Sequence, residues 1–160
     1  MYEVGRGRFR VDPGEYLLVN TDQPYSVEID SPTPVSSLCL FFRPGFVEDV
    51  HRSLTSGFSS LLDSPASSAP ISFFERTYRR TAALDRMLAQ VKDSHSVSGD
   101  LDSGMYRVAR ELLSERSSLE REIARIPVAR RSTREELYRR LHLAREYIDS
   151  SFQRRITLTD

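Results

Sequence analysis

The sequence predicts an α+β protein: a small, partial β-barrel or sandwich in the first half, followed by α-helices. Three observations predict it. Before residue 45, short apolar runs are separated by Pro- and Gly-bearing turns, the pattern of closely spaced strands. After residue 80, apolar residues recur at spacings of three and four, the period of an amphipathic helix. The last such segment opens on Thr133 and Glu136, whose hydroxyl and carboxylate are spaced for a capping box.

Taking the elements in order, Tyr2 to Val11 alternates loosely, with Val4, Phe9 and Val11 as candidate inward residues. Gly5 and Gly7 weaken this strand or mark a bulge. Asp12-Pro13-Gly14-Glu15 is a turn, because Pro presets φ at the second position and Gly accepts positive φ at the third. Tyr16 to Val19 is the next strand, closed by Asn20 to Pro24, and Tyr25 to Ile29 alternates again. After a turn at Ser31 to Pro34, Ser36 to Phe42 is the most apolar run and predicts the most central strand. Its Cys39 reads as a small core hydrophobe. Pro44 to Leu54 predicts a short helix with Phe46, Val47, Val50 and Leu54 on one side. Residues 55–70, rich in Ser, Pro and Gly and anchored only by Leu61 and Leu62, read as a mobile loop. Ile71 to Tyr78 is either a last strand, with Phe73 and Phe74 on opposite faces, or the lead-in to a helix.

From Thr81 the chain turns helical. Leu84, Met87, Leu88 and Val91 make one face before Ser94 to Gly99 interrupts. Asp100 or Asp102 can cap the next helix, whose stripe is Met105, Val108, Leu112, Leu119 and Ile123, widened by Ala109 and Leu113. Arg116 interrupts that stripe, and Pro127 ends the helix. In the final helix Leu137, Leu141, Ala144, Ile148 and Phe152 form a single apolar face, while Arg139, Arg140, Arg145 and Glu146 fall off it. Ile156 to Asp160 reads as an extended step into a further helix. The natural packing partner for the stripe would be that further helix, so the chain is expected to be a fragment.

Composition narrows the function classes. The chain has 160 residues and formal net charge +0, but the charge is uneven. Nine Arg face four acids between Arg125 and Arg155, against an excess of acids over bases before Arg125. A neutral-to-acidic front and a basic back suit a sensor joined to something that approaches a polyanion, and equally a solvated Arg-rich helix. With one cysteine there is no internal disulfide. The longest apolar run, Leu38 to Phe42, is far short of a membrane span, and the N-terminus has no signal-peptide pattern, so a cytoplasmic protein is expected. His51, His95 and His142 are scattered and there is no H-x-H pair, so neither metal nor cofactor is expected. Nucleophile-elbow, H-E-x-x-H, P-loop and dinucleotide motifs are all missing. Glu48-Asp49 and Glu135-Glu136 read as solvated or capping carboxylates, so an enzyme is not expected.

The run Arg134 to Asp149, with its polar spacer and Ile156-Thr-Leu-Thr-Asp160, resembles the start of an AraC-family DNA-binding domain. The Pro-Gly turn, the apolar strand after it and Asn20-Thr-Asp-Gln-Pro-Tyr25 resemble the late half of a cupin sensor, with Tyr25 where metal-binding cupins commonly carry a His. The resemblance implies a cupin-like sensor segment over 1–78, linking and dimerisation helices over 79–127, and the start of a helix-turn-helix domain over 128–160. Both helix-turn-helix units would be missing, so DNA would be reached only through that missing part. The first cupin strands would be absent or cropped. An unknown small-molecule effector would sit on the inner barrel face, with Tyr16, Tyr25, Phe41 and Arg43 as candidates, unless these aromatics simply fill a small barrel. Met105, Val108, Leu112, Leu119 and Ile123 would either cover the barrel or form a homodimer contact, and the resemblance favours the dimer. Arg130, Arg131 and Arg134 are candidates for phosphate contact, which is salt-dependent and sequence-blind. The alternatives are a small cupin-like enzyme and a helical protein-interaction module.

Overall fold

The computed structural model describes residues 1–5, 7–56, 70–94 and 101–151. Among them are strands β1 (Tyr2–Val4), β2 (Gly7–Phe9), β3 (Glu15–Leu17), β4 (Tyr25–Val27) and β5 (Thr77–Arg79). The helices are α1 (Phe46–Thr55), α2 (Ala82–Ser94), α3 (Leu101–Ala124) and α4 (Arg131–Ser151). Small antiparallel sheets followed mainly by helices make this an α+β protein, as the alternation and the helical periodicity indicate. The chain forms two compact units: Met1–Ser37 with Phe73–Arg79 and Leu119–Asp160, and Leu38–Ser72 with Arg80–Ser118.

In the first unit β1 lies between β2 and β4, antiparallel to both, with Tyr2 opposite Phe9 on one side and Val27 on the other. Tyr2–Val4 and Gly7–Phe9 are therefore two paired strands and not one. The reason is Gly5, whose φ of 58° reverses the chain where a side chain would be strained. Gly7 is needed for a different reason, since a Cβ there would collide with the Phe9 ring. The Asp12–Glu15 turn forms as expected, with Gly14 at φ 91° and Glu15 N–H donating to the Asp12 carbonyl at 3.0 Å.

Beyond that turn β3 pairs antiparallel with β5, placing Tyr16 opposite Tyr78, so Ile71 to Tyr78 leads into a strand and not a helix. The Asn20–Gln23 turn is tied to the segment before β5 by side chains. Asn20 Oδ1 accepts from Phe73 N–H (2.7 Å), Asn20 Nδ2 donates to the Phe73 carbonyl (3.0 Å), and Gln23 Nε2 donates to Glu75 (2.6 Å). The core holds Val4, Phe9 and Tyr78, together with a cluster of Leu119, Ile123 and Tyr138 that Phe74 and Ile126 flank.

The second unit buries Val50 of α1, Leu84 and Val91 of α2, and Val108, Ala109, Leu112 and Leu113 of α3. These are the faces that the helical periodicity marks. Thr81 caps α2, its hydroxyl accepting from Leu84 N–H at 3.1 Å. Gly104 lets α3 approach α2, because a Cβ there would stand 2.8 Å from Val91 Cγ2. Arg116, which breaks the apolar stripe, donates through Nε to the Ser72 carbonyl at 3.1 Å.

Three expectations are corrected. Ser36 to Phe42 is not a strand, and Cys39 is exposed, as is Phe41 at 77%. A strand exists by pairing, and no strand among the described residues lies alongside this run, so apolar content alone does not make it one. The final helix starts at Arg131, leaving Thr133 inside its first turn. Glu136 does not close a capping box, because Arg139 (2.7 Å) and Arg140 (2.8 Å), three and four residues on, hold its carboxylate. Glu146, which falls off the apolar face of that helix, is buried at 8%. Leu61, Leu62, His95, Asp100, Phe152 and the step at 156–160 lie outside the described residues.

Candidate functional site

Two places gather chemistry-bearing side chains. In the second unit an open cleft of about 630 Å³ is lined by Arg43, Phe46, Asp102, Ser103, Tyr106 and Arg107. The left-handed Gly45 (φ 81°) turns the chain into α1 just after Arg43, which sets the Arg43 guanidinium 5.5 Å from the Phe46 ring centre. Phe42 stacks on Phe46 at 5.7 Å and supports that ring. The Tyr106 hydroxyl shares a hydrogen bond with Ser53 Oγ at 3.4 Å. Asp49 stands 3.8 Å from Arg43, so the cation is only partly offset by its own chain. An aromatic wall with a guanidinium beside it can hold a planar or carboxylate-bearing small molecule.

In the first unit a polar and aromatic network runs from β3 to α4. Tyr16 stacks on Tyr78 at 5.2 Å, and the Arg76 guanidinium lies 4.6 Å from the Tyr78 ring centre. Arg76 Nη1 donates to the Tyr138 hydroxyl at 2.9 Å, and that hydroxyl donates to Glu122 Oε2 at 3.1 Å. Phe74 meets the Tyr138 ring edge-on at 5.2 Å, and His142 lies 4.3 Å from it. One turn further along α4, Glu146 Oε1 accepts from Thr77 N–H (3.3 Å) and Thr77 Oγ1 (2.5 Å). Burial pushes the Tyr138 phenol up to about 12, with Glu122 adding to the rise and Arg76 opposing it. The same burial, helped by Arg76 and Arg145, lowers the pKa of His142 and favours its neutral form.

The effector candidates divide between the units. Tyr16 is half-buried in its stack, and Tyr25 is half-exposed on the edge strand β4. Phe41 is open to solvent, and Arg43 lines the cleft. Phe46 and Tyr106, the walls beside Arg43, are not among the candidates read from the sequence. They sit some sixty residues apart, and Phe46 carries only the helical spacing that marks a core face. Of the dimer candidates, Val108, Leu112, Leu119 and Ile123 are buried within the chain and Met105 is half-buried. Of the phosphate candidates, Arg130 is exposed, and Arg131 pairs with Glu135 at 2.7 Å. Arg134 turns back to donate to the Val128 carbonyl at 2.7 Å, holding the linker after Pro127.

Among the described residues no group of three or more His, Cys, Asp or Glu converges on a metal-sized volume, and no helix is long and apolar enough to cross a membrane. The family model described as AraC-like ligand binding domain matches residues 1–109. No curated protein and no solved structure matches the chain.

Proposed function

The chain belongs to the AraC-like ligand-binding domain family, and from that premise we propose that it is the sensor and linking part of an AraC-type DNA-binding transcription regulator. The family match over residues 1–109 carries this reading. Helix α4, beyond the matched region, supports it further. Leu137, Leu141 and Ile148 lie exposed along one side of α4, the surface that the first helix of a helix-turn-helix domain offers to the rest of that domain. In this reading a small-molecule effector binds in the family-matched part and alters how α3 and α4 present the DNA-binding units. The protein is then a non-enzymatic, cytoplasmic bacterial homodimer.

Arg43 in its cleft and Tyr16 in its stack, which belong to separate units, are alternative effector contacts within this proposal. The test is a thermal-unfolding screen of the 160-residue chain against small aromatic and aliphatic carboxylates. A ligand at one hundred times its Kd is expected to stabilise the protein by about 2.7 kcal/mol. Arg43→Ala or Tyr16→Ala is expected to abolish the shift, and whichever does so locates the site. No shift from any compound, or a shift that survives both substitutions, overturns the assignment. Sedimentation velocity over a range of concentrations tests the dimer. Coding sequence past residue 160 that lacks two helix-turn-helix patterns would contradict the regulator reading.

A further inference from the structure

We propose that the contacts between β5 and α4 form a releasable clamp, through which the last strand of the family-matched region sets whether α4 is docked or free. This rests on the regulator reading for its purpose, but not for its physics. An amphipathic helix ordinarily buries its apolar stripe. Helix α4 does the reverse, leaving Leu141 67% exposed while burying Tyr138 and Glu146. Its contacts with β5 and the residue before it are hydrogen bonds, whereas Tyr138 also packs in the apolar cluster of Leu119 and Ile123 and the helix lies against β2. Thr77 donates twice to Glu146, and Arg76 donates to the hydroxyl of Tyr138.

β5 has β3 on one side, and its other edge offers the Thr77 N–H to the Glu146 carboxylate. Hydrogen bonds of this kind are exchanged for water when a helix leaves, whereas a buried apolar face has no such replacement. The β5 part of the docking is therefore specific yet exchangeable with water, and losing it weakens the hold that it shares with the apolar contacts of Tyr138. Phe74 against Tyr138, and Arg139 over the Phe74 ring at 5.6 Å, guide the helix back to one position.

The clamp is also wired to the sensor side. Thr77 and Tyr78 sit opposite Leu17 and Tyr16 in the β3–β5 ladder, and Tyr16 stacks on Tyr78, over which Arg76 lies. A ligand that displaces Tyr16 would disturb the strand that carries the anchor Thr77 and begins just after the anchor Arg76. A helix outside residues 1–109 is in this way held by two residues inside them.

Hydrogen exchange on the full 160-residue chain tests the clamp without effector or DNA. Thr77→Val and Tyr138→Phe each remove a hydroxyl while keeping the side chain's bulk. Each is expected to raise exchange across residues 131–151 about tenfold and to leave the buried amides of α2 unchanged. Opening of α4 is expected to depend on urea far more weakly than opening of Leu112 and Val108, the mark of a sub-global event. Tyr16→Ala is expected to raise exchange in α4 as well. The clamp is overturned if α4 exchanges only in step with the α3 core, or if neither hydroxyl deletion moves it. A regulator that fails to bind effector or DNA, with these exchange results intact, would sink the functional reading and leave the clamp standing.

Discussion

Tyr138 has a single phenolic proton and two charged neighbours, Arg76 donating to its oxygen and Glu122 accepting from it. Its folded pKa, raised from 10.0 to about 12 chiefly by burial, means that its contribution to stability is complete below pH 10.0 and is lost as pH rises toward 12. Phenolate absorbance is expected to show a late step near pH 12, and Tyr138→Phe is expected to remove that step. His142, next along the helix, works in the acid direction. Its folded pKa is depressed below 6.5, so the stability it contributes is present above that value and declines as pH falls through the folded pKa. Urea unfolding on either side of pH 6.5 is expected to show this decline in the wild type and a smaller one in His142→Gln. Neither residue's partners were legible in the sequence. Arg76 and Glu122 lie far from Tyr138 along the chain, and only the packing of three elements brings them together.

At the scale of the element, α4 shows how far periodicity reaches. The spacing of Leu137, Leu141, Ala144 and Ile148 correctly gives a helix and correctly groups these residues on one side. It is silent on which side the chain uses, and the structure uses the other one, where Tyr138 and Glu146 are buried. Leu141→Gln is therefore expected to change stability by no more than about 0.5 kcal/mol, the range of ordinary surface substitutions. Leu112→Ala, in a site only 4% exposed, is expected to cost about 2–5 kcal/mol in the same urea-unfolding measurement. Equal losses at the two positions would mean that the α4 stripe is covered in solution. Ser36 to Phe42 teaches the complementary point. Its composition is the most strand-like in the chain, but strand formation depends on a neighbour with unpaired backbone groups, which composition does not report.

Across the whole molecule, the nine arginines between Arg125 and Arg155 give the back of the chain its positive charge, yet the structure engages many of them locally. Arg131, Arg139, Arg140 and Arg145 pair with acids of α4, and Arg134 serves the linker carbonyls. DNA binding by this chain is accordingly expected to be weak and sequence-blind, with a Kd of about 10⁻⁴–10⁻⁶ M at physiological salt. Arg130→Ala is expected to lower the slope of log affinity against log salt by about 1 if that residue meets a phosphate. Fluorescence anisotropy on unrelated duplexes checks both. Sub-micromolar, sequence-selective binding would contradict this expectation.

By itself the sequence determined the α+β class, the Asp12–Glu15 turn, the buried faces of α2 and α3, and the unequal distribution of charge. All of these follow from local spacing, backbone preference and composition. Tertiary structure decided the rest: that β5 pairs with β3, that Phe46 and Tyr106 join Arg43 in one cleft, and that α4 docks through Thr77, Arg76 and Glu146 with its apolar side outward. The physical reason is that a period reports which residues share a face. Which face becomes buried depends on the groups that distant parts of the chain bring to meet it, and here those groups are the hydrogen-bonding Thr77 and Arg76 beside the apolar Phe74, Leu119 and Ile123.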